Sequence, residues 1–153
     1  MAQTTAQVSQ ACSKIEVSFD NCVTFTDISG VSQSIEGLEQ KRMSGEADTC
    51  DGDYALITTG KREPIEATVN IVYTETDAEG YEIVREQFEL NGCNVPLCLR
   101  YTPRGGEEGY EQLTINGKLI GFTYPMSDAS SGDPITASFV VKGGYISTTI
   151  KAS

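Results

Sequence analysis

Few residues in this 153-residue chain can do chemistry, and histidine is absent. That removes Ser-His and Cys-His nucleophilic arrangements and the commonest metal ligand. Carboxylates pair at Glu107-Glu108 and flank a glycine in Asp51-Gly52-Asp53. Adjacent glutamates in a Gly-rich turn read as a solvated tip. The Asp-Gly-Asp triplet lacks the further ligands and the terminal glutamate of a calcium loop. The run RGGEEG at 104–109 lacks the lysine and the following Ser/Thr of a phosphate-cradling loop. Five cysteines are present: Cys12, Cys22, Cys50, Cys93 and Cys98. Cys93 and Cys98 are too widely spaced for a zinc knuckle and have no second pair. In a chain read as folding in a cytoplasm, the odd number predicts free, mostly buried thiols. No catalytic residue, cofactor site or metal site is assigned. The chain is expected not to be an enzyme and to work by non-covalent contact.

Composition sets the frame for those residues. The formal net charge is -11, from 22 acidic and 11 basic residues, and 39% of the chain is hydrophobic. Such a chain has no basic stripe with which to hold nucleic acid phosphates. Its length suggests one domain over residues 1–153, long enough to bury a real core. The start, MAQTTAQVSQAC, has neither the basic nor the apolar part of a signal peptide and reads as a flexible arm over residues 1–12. No apolar run approaches the ~20 residues needed to span a bilayer.

Period-two alternation marks the strands. In SKIEVSFDNCVTFTDI, Ile15, Val17 and Phe19 share a face. A three-residue loop Asp20-Asn21-Cys22 would set Phe19 opposite Val23 and Val17 opposite Phe25. In PIEATVNIVYT (64–74), Ile65, Ala67, Val69, Ile71 and Tyr73 face one way; Glu66, Thr68, Asn70 and Val72 face the other. A helix is predicted over about 76–91, with Thr76 as N-cap, Glu79 completing a capping box and Asn91-Gly92 as the stop. Tyr81, Val84 and Phe88 form its apolar stripe, and Gly80 weakens it by roughly 1 kcal/mol relative to Ala. VPLCLRYTP (95–103) reads as a strand. QLTINGKLIGFTYP (112–125) reads as another, broken at Asn116-Gly117 by either a bulge or a tight hairpin. Gly143-Gly144 predicts a closing hairpin with Phe139, Val141, Ile146 and Ile150 on one face. About seven strands and one helix result, a mainly β chain.

Residues 36–64 fit none of these patterns. EGLEQKRMSGEADTCDGDYALITTGKREP is polar and aperiodic, too long for an unstructured connection inside a compact domain unless it has a function of its own. It mixes Lys41, Arg42, Lys61 and Arg62 with Glu39, Glu46, Asp48, Asp51, Asp53 and Glu63. Met43, Leu56 and Ile57 stand among them as candidate apolar anchors.

The order of these pieces resembles the tail tube proteins, or major tail proteins, of long-tailed phages. The resemblance is carried by FTDISGVSQSIEG, EQKRMSGEADTCDGDYALITTGKREP, IVYTETDAEGYEIVREQFELNG and FTYPMSDASSGDPITASFVV, and spans most of residues 13–150. It implies a β-sandwich or half-barrel flanked by one helix. It also implies six subunits per ring, stacked rings, and a hollow acidic lumen through which DNA passes without specific binding. On that reading the segment at about 30–63 is an extended inter-subunit loop, with Lys41, Arg42, Met43, Glu46, Asp48, Asp51, Asp53, Leu56, Ile57, Lys61, Arg62 and Glu63 as contacts. Glu66, Thr68, Asn70, Thr136 and Ser138, on the polar faces of their strands, would face the lumen. Partners would be further copies of the chain and other tail proteins, with no membrane. The protein would reside in the virion tail after synthesis in the host bacterial cytoplasm. Related tubes serve contractile injection machines, which the sequence does not separate from non-contractile tails. The alternative from another class is a β-sandwich module binding a carbohydrate or small ligand. Such modules present aromatic platforms, and this chain has no Trp and 8% aromatic residues.

Overall fold

The computed structural model describes residues 2–7, 9–90, 92–104 and 111–150. Glu107, Glu108 and Asn91, each singled out in the sequence, lie outside them. The strands are β1 (Lys14–Ser18), β2 (Thr26–Asp27), β3 (Ser32–Glu36), β4 (Arg42–Ala47), β5 (Leu56–Arg62), β6 (Ile65–Val72), β7 (Pro96–Thr102), β8 (Glu111–Thr123), β9 (Thr136–Gly143) and β10 (Ser147–Ile150). One helix, α1 (Gly80–Leu90), lies between β6 and β7. Gln10–Cys12 form a single 3-10 turn whose cap is Ser9.

Eight strands make one antiparallel sheet in the order β2-β1-β7-β8-β9-β6-β3, with β10 also on β8. The sheet is a half-barrel, not a closed one. Near its open seam the turn after β2 ties two strands together: Ile28 N donates to Ile15 O at 3.0 Å, and Val72 N donates to Val31 O at 2.7 Å. The alternation read in the sequence sets the register. Ile65, Ala67, Val69 and Ile71 of β6 are buried, as are Phe139 and Val141 of β9 and Leu97 and Leu99 of β7. Each larger side chain gains about 1.5–3 kcal/mol from burial, and a one-residue slip would expose them all. Tyr81 and Val84 of α1 are buried, and half-buried Phe88 packs against the same core. Tyr81 and Phe88 meet Phe122 of β8 at ring-centroid distances of 5.5 and 5.9 Å.

Several local expectations are corrected. The first hairpin exists, but Val17 pairs with Thr26 and Glu16 with Asp27, so the loop is longer than three residues and the register shifts by one. Asn21 and Cys22 take left-handed backbone in that loop (φ 61° and 65°). Asp20 Oδ1 accepts from Ser18 Oγ and Thr24 N, at 2.6 and 2.9 Å. These bonds hold the Asp20 carboxyl down at about 2, the Ser18 hydroxyl contributing most. Cys22 is there to reach β7: it is disulfide-bonded to Cys98, against the expectation of free thiols throughout. Cys50 and Cys93 are free, and exposed rather than buried.

The helix begins at Gly80, a turn later than the Thr76 capping box requires; Glu79 N instead bonds Thr76 O and Ile83 N bonds Glu79 O. Gly80 is a contact, since a Cβ there would lie 2.8 Å from Val31 Cγ2. Beyond the helix exit, among the described residues, Asn94 takes left-handed backbone (φ 59°).

The Gly-Gly hairpin is absent. β9 and β10 both run antiparallel to β8, Gly143 opposite Gly117 and Ser147 opposite Thr114, so the chain continues along one partner through a kink at 144–146. Phe139 and Val141 are buried and Ile146 packs on the core as expected. Asn116-Gly117 is neither hairpin nor bulge: β8 runs straight through, and its irregularity falls between Leu119 and Gly121. The glycines serve close approach. A Cβ on Gly117 would lie 2.2 Å from Lys142 O, and one on Gly143 would lie 2.5 Å from Ile115 Cγ2.

Candidate assembly surfaces

The segment expected to be one long loop at 30–63 is largely ordered strand. Ser32–Glu36 is the edge strand β3, pairing with β6 at Ser34↔Asn70 and Glu36↔Thr68. Beyond it, β4 and β5 form a separate two-stranded sheet, with Glu46 opposite Ile57, Ala47 opposite Leu56, and a bulge between Arg42 and Ser44. Every residue of both strands is exposed. Period two is silent here because neither face has a core to turn toward.

The root of this ribbon is pinned. Glu63 N donates to Lys41 O at 2.8 Å, and Gln40 Nε2 donates to Glu63 O at 2.7 Å. The same Gln40 accepts at Oε1 from Ile146 N at 2.9 Å, clamping the ribbon to the β9–β10 kink. Arg62 lies over the Tyr145 ring at 5.6 Å, and Arg42 Nη1 donates to Gly60 O at 3.1 Å. Gly37 (φ 86°) lets the chain leave β3 against β6; a Cβ would sit 2.2 Å from Glu66 O.

The structure sorts the loop residues along the ribbon. Lys41 and Glu63 are at the root, with Arg42, Lys61 and Arg62 close by on β4 and β5. Met43, Glu46, Leu56 and Ile57 are further along, and Asp48, Asp51 and Asp53 are in the turn joining the strands. Gly52 (φ 114°) makes that turn, so Asp51-Gly52-Asp53 is an exposed tip. Met43, Leu56 and Ile57 are 52%, 56% and 71% exposed, too much for a free monomer's comfort in one small ribbon.

The second surface is the sheet face opposite the core. Glu66, Thr68 and Asn70 of β6 and Thr136 and Ser138 of β9 share it, with Asn70 opposite Ser138 and Glu66 opposite Lys142. Asn70 Nδ2 donates to Ser34 Oγ at 2.8 Å and to Glu36 Oε1 at 3.1 Å. Lys142 Nζ is 3.7 Å from Glu66 Oε1. Toward the other edge Arg100 grips Glu16 with two bonds, 3.0 and 2.8 Å, while Phe25 lies 3.8 Å from its guanidinium carbon. Lys14 approaches the same Glu16 at 3.8 Å. By register, Glu16, Asp27, Glu36 and Glu66 share this face with Lys14, Arg100, Lys118 and Lys142. The face is therefore charge-balanced, although the chain carries a net charge of -11. Lys142 was legible on the polar face of its strand, but Lys118, which lies opposite it, was not, because it falls in the stretch expected to break.

No helix among the described residues is long and apolar enough to cross a membrane. No family model matches the chain, and no curated protein matches it in sequence. Solved structures do match in shape. A chain of the PVC extracellular contractile injection system, in its extended sheath-tube complex, has a TM-score of 0.71 at 13% identity, covering 95% of this chain and 93% of that one. A chain of the six-fold symmetrised anti-feeding prophage baseplate has a TM-score of 0.71 at 11% identity, covering 96% and 97%. A chain of the SPP1 tail tube has a TM-score of 0.65 at 12% identity, covering 96% and 81%. Across nearly its whole length, the chain has the fold of subunits found in phage tails and contractile injection systems.

Proposed function

We propose that this chain is a structural subunit of a tail tube, assembling into stacked six-membered rings and carrying no enzymatic activity. The observation that carries the reading is the fold match to tail and injection-system subunits, which spans nearly all of these residues. The six-fold symmetry of the anti-feeding prophage baseplate favours six subunits per ring. In such a ring the polar sheet face, with Glu66, Thr68, Asn70, Thr136 and Ser138, lines the bore, and the β4–β5 ribbon reaches a neighbouring copy. A charge-balanced wall neither holds a polyanion nor repels it strongly, which suits passage of DNA without specific binding. Electron microscopy of the purified full-length protein tests this. Rings or tubes are expected, and a strict monomer at high concentration in every salt condition would overturn the proposal.

A further inference from the structure

Charge on the β4–β5 ribbon is sorted by position. Its root carries Lys41, Arg42, Lys61 and Arg62 against Glu39 and Glu63, while its far end carries Glu46, Asp48, Asp51 and Asp53 with no Lys or Arg between residues 43 and 60. The strands separate these ends by about 20 Å, at about 3.3 Å per residue. Among the described residues none of the four far-end carboxylates has a cation within ion-pair distance, whereas Lys41 has only the exposed Glu39 at 3.5 Å. A two-stranded ribbon with both faces in water is marginal by itself, and each end adds like-charge repulsion to it. Both penalties disappear if acidic end meets basic end.

We propose that the occupant of this ribbon is the ribbon of a second copy of this chain, docked head to tail: the acidic tip of one copy against the basic root of the next. This rests on the tail-tube reading and adds the charge rule that orders it. Tip-to-tip and root-to-root contacts oppose like charges, so the pairing has one direction. A head-to-tail contact is heterologous and repeats without limit along an axis, as a stack requires. Leu56 and Ile57, next to the tip on opposite faces of the ribbon and both more than half exposed, give such a contact an apolar flank whichever face it uses.

Charge reversal in the full chain tests the inference. A tip variant carries Asp48→Lys, Asp51→Lys and Asp53→Lys; a root variant carries Lys41→Glu, Arg42→Glu, Lys61→Glu and Arg62→Glu. Sedimentation velocity and negative-stain imaging should show each alone assembling only at a concentration raised about tenfold or more, which corresponds to about 1.4 kcal/mol of lost contact. An equimolar mixture should return to within about threefold of wild type. A mixture no better than its parts overturns the proposal, as does a mixture that stops at a closed dimer. A third chain, with residues 42–62 replaced by an Asn-Gly turn, separates the two levels. If it forms tubes, the ribbon does not join copies at all. If it stays monomeric while both charge variants assemble like wild type, the ribbon joins copies but charge does not order them, and only this inference fails. Should a reversed chain lose the wild-type circular dichroism spectrum, Asp51→Asn/Asp53→Asn decides. Weaker and less salt-sensitive assembly supports the proposal, and an unchanged salt profile overturns it.

Discussion

Arg100 shows how one side chain holds a buried charge in place. Glu16 is only 6% exposed, and its carboxylate is satisfied by the planar fork of Arg100 and, more distantly, by Lys14. One side of the guanidinium is in turn covered by Phe25, from the loop that the Cys22–Cys98 disulfide fastens down. Removing the fork leaves a buried carboxylate short of donors. Arg100→Ala should therefore lower unfolding stability by about 2–3 kcal/mol in urea titrations. Arg100→Lys should recover less than half of that, because an ammonium offers neither two parallel bonds nor a stacking plane. None of this was legible in the sequence. Glu16 and Arg100 are 84 residues apart, and their meeting depends on the β1–β7 register. The disulfide escaped for the same reason: Cys22 reaches β7 only through a left-handed turn that the hairpin pattern does not announce.

At the scale of elements, legibility followed burial. β6 and β9 alternate because one face of each meets the core, and the residues expected inside are inside. The helix stripe was legible for the same reason, but its start was not, since Gly80 answers to the packing of Val31 and Ile28 and not to capping. β3, β4 and β5 were read as loop because an edge strand and a two-faced ribbon bury too little to impose a period. The glycines misled in the opposite direction. Gly117 and Gly143 read as turn residues, yet in the β8–β9 ladder Gly117 sits where backbones press together and Gly143 where the Ile115 side chain packs. Gly117→Ala should cost about 3 kcal/mol or more of stability, the upper range for overpacking, because the clash is with backbone Lys142 O and has no side chain to yield. Gly144→Ala, with nothing within 4 Å of its would-be Cβ, should change stability by less than about 0.5 kcal/mol. Chemical denaturation of the two variants side by side checks the contrast.

For the whole molecule, the division of labour is between a packed half-barrel and a projecting ribbon. The polar sheet face was legible residue by residue, and Glu66, Thr68, Asn70, Thr136 and Ser138 do share it. Its charge balance was not, because net charge is a sum over the whole surface and says nothing about which face carries it. In tubes of a chain with Cys12, Cys50 and Cys93 changed to Ser, Thr68→Cys should react with a small maleimide and resist a protein-sized one. Glu86→Cys, exposed on α1, should react with both. Equal labelling of the two positions would place the sheet face elsewhere than the bore.

The Gln40 clamp has a mechanical consequence. The ribbon continues directly into β6, a strand with ladders on both sides, and Gln40 ties the same root to the backbone at Ile146. Tension applied at the tip is thus divided between two strands and runs along their length. The ladders of β6 with β9 and of β10 with β8 are loaded in shear, many bonds at once, and are not peeled open one by one. A chain built this way can be pulled by its ribbon tip without being unzipped.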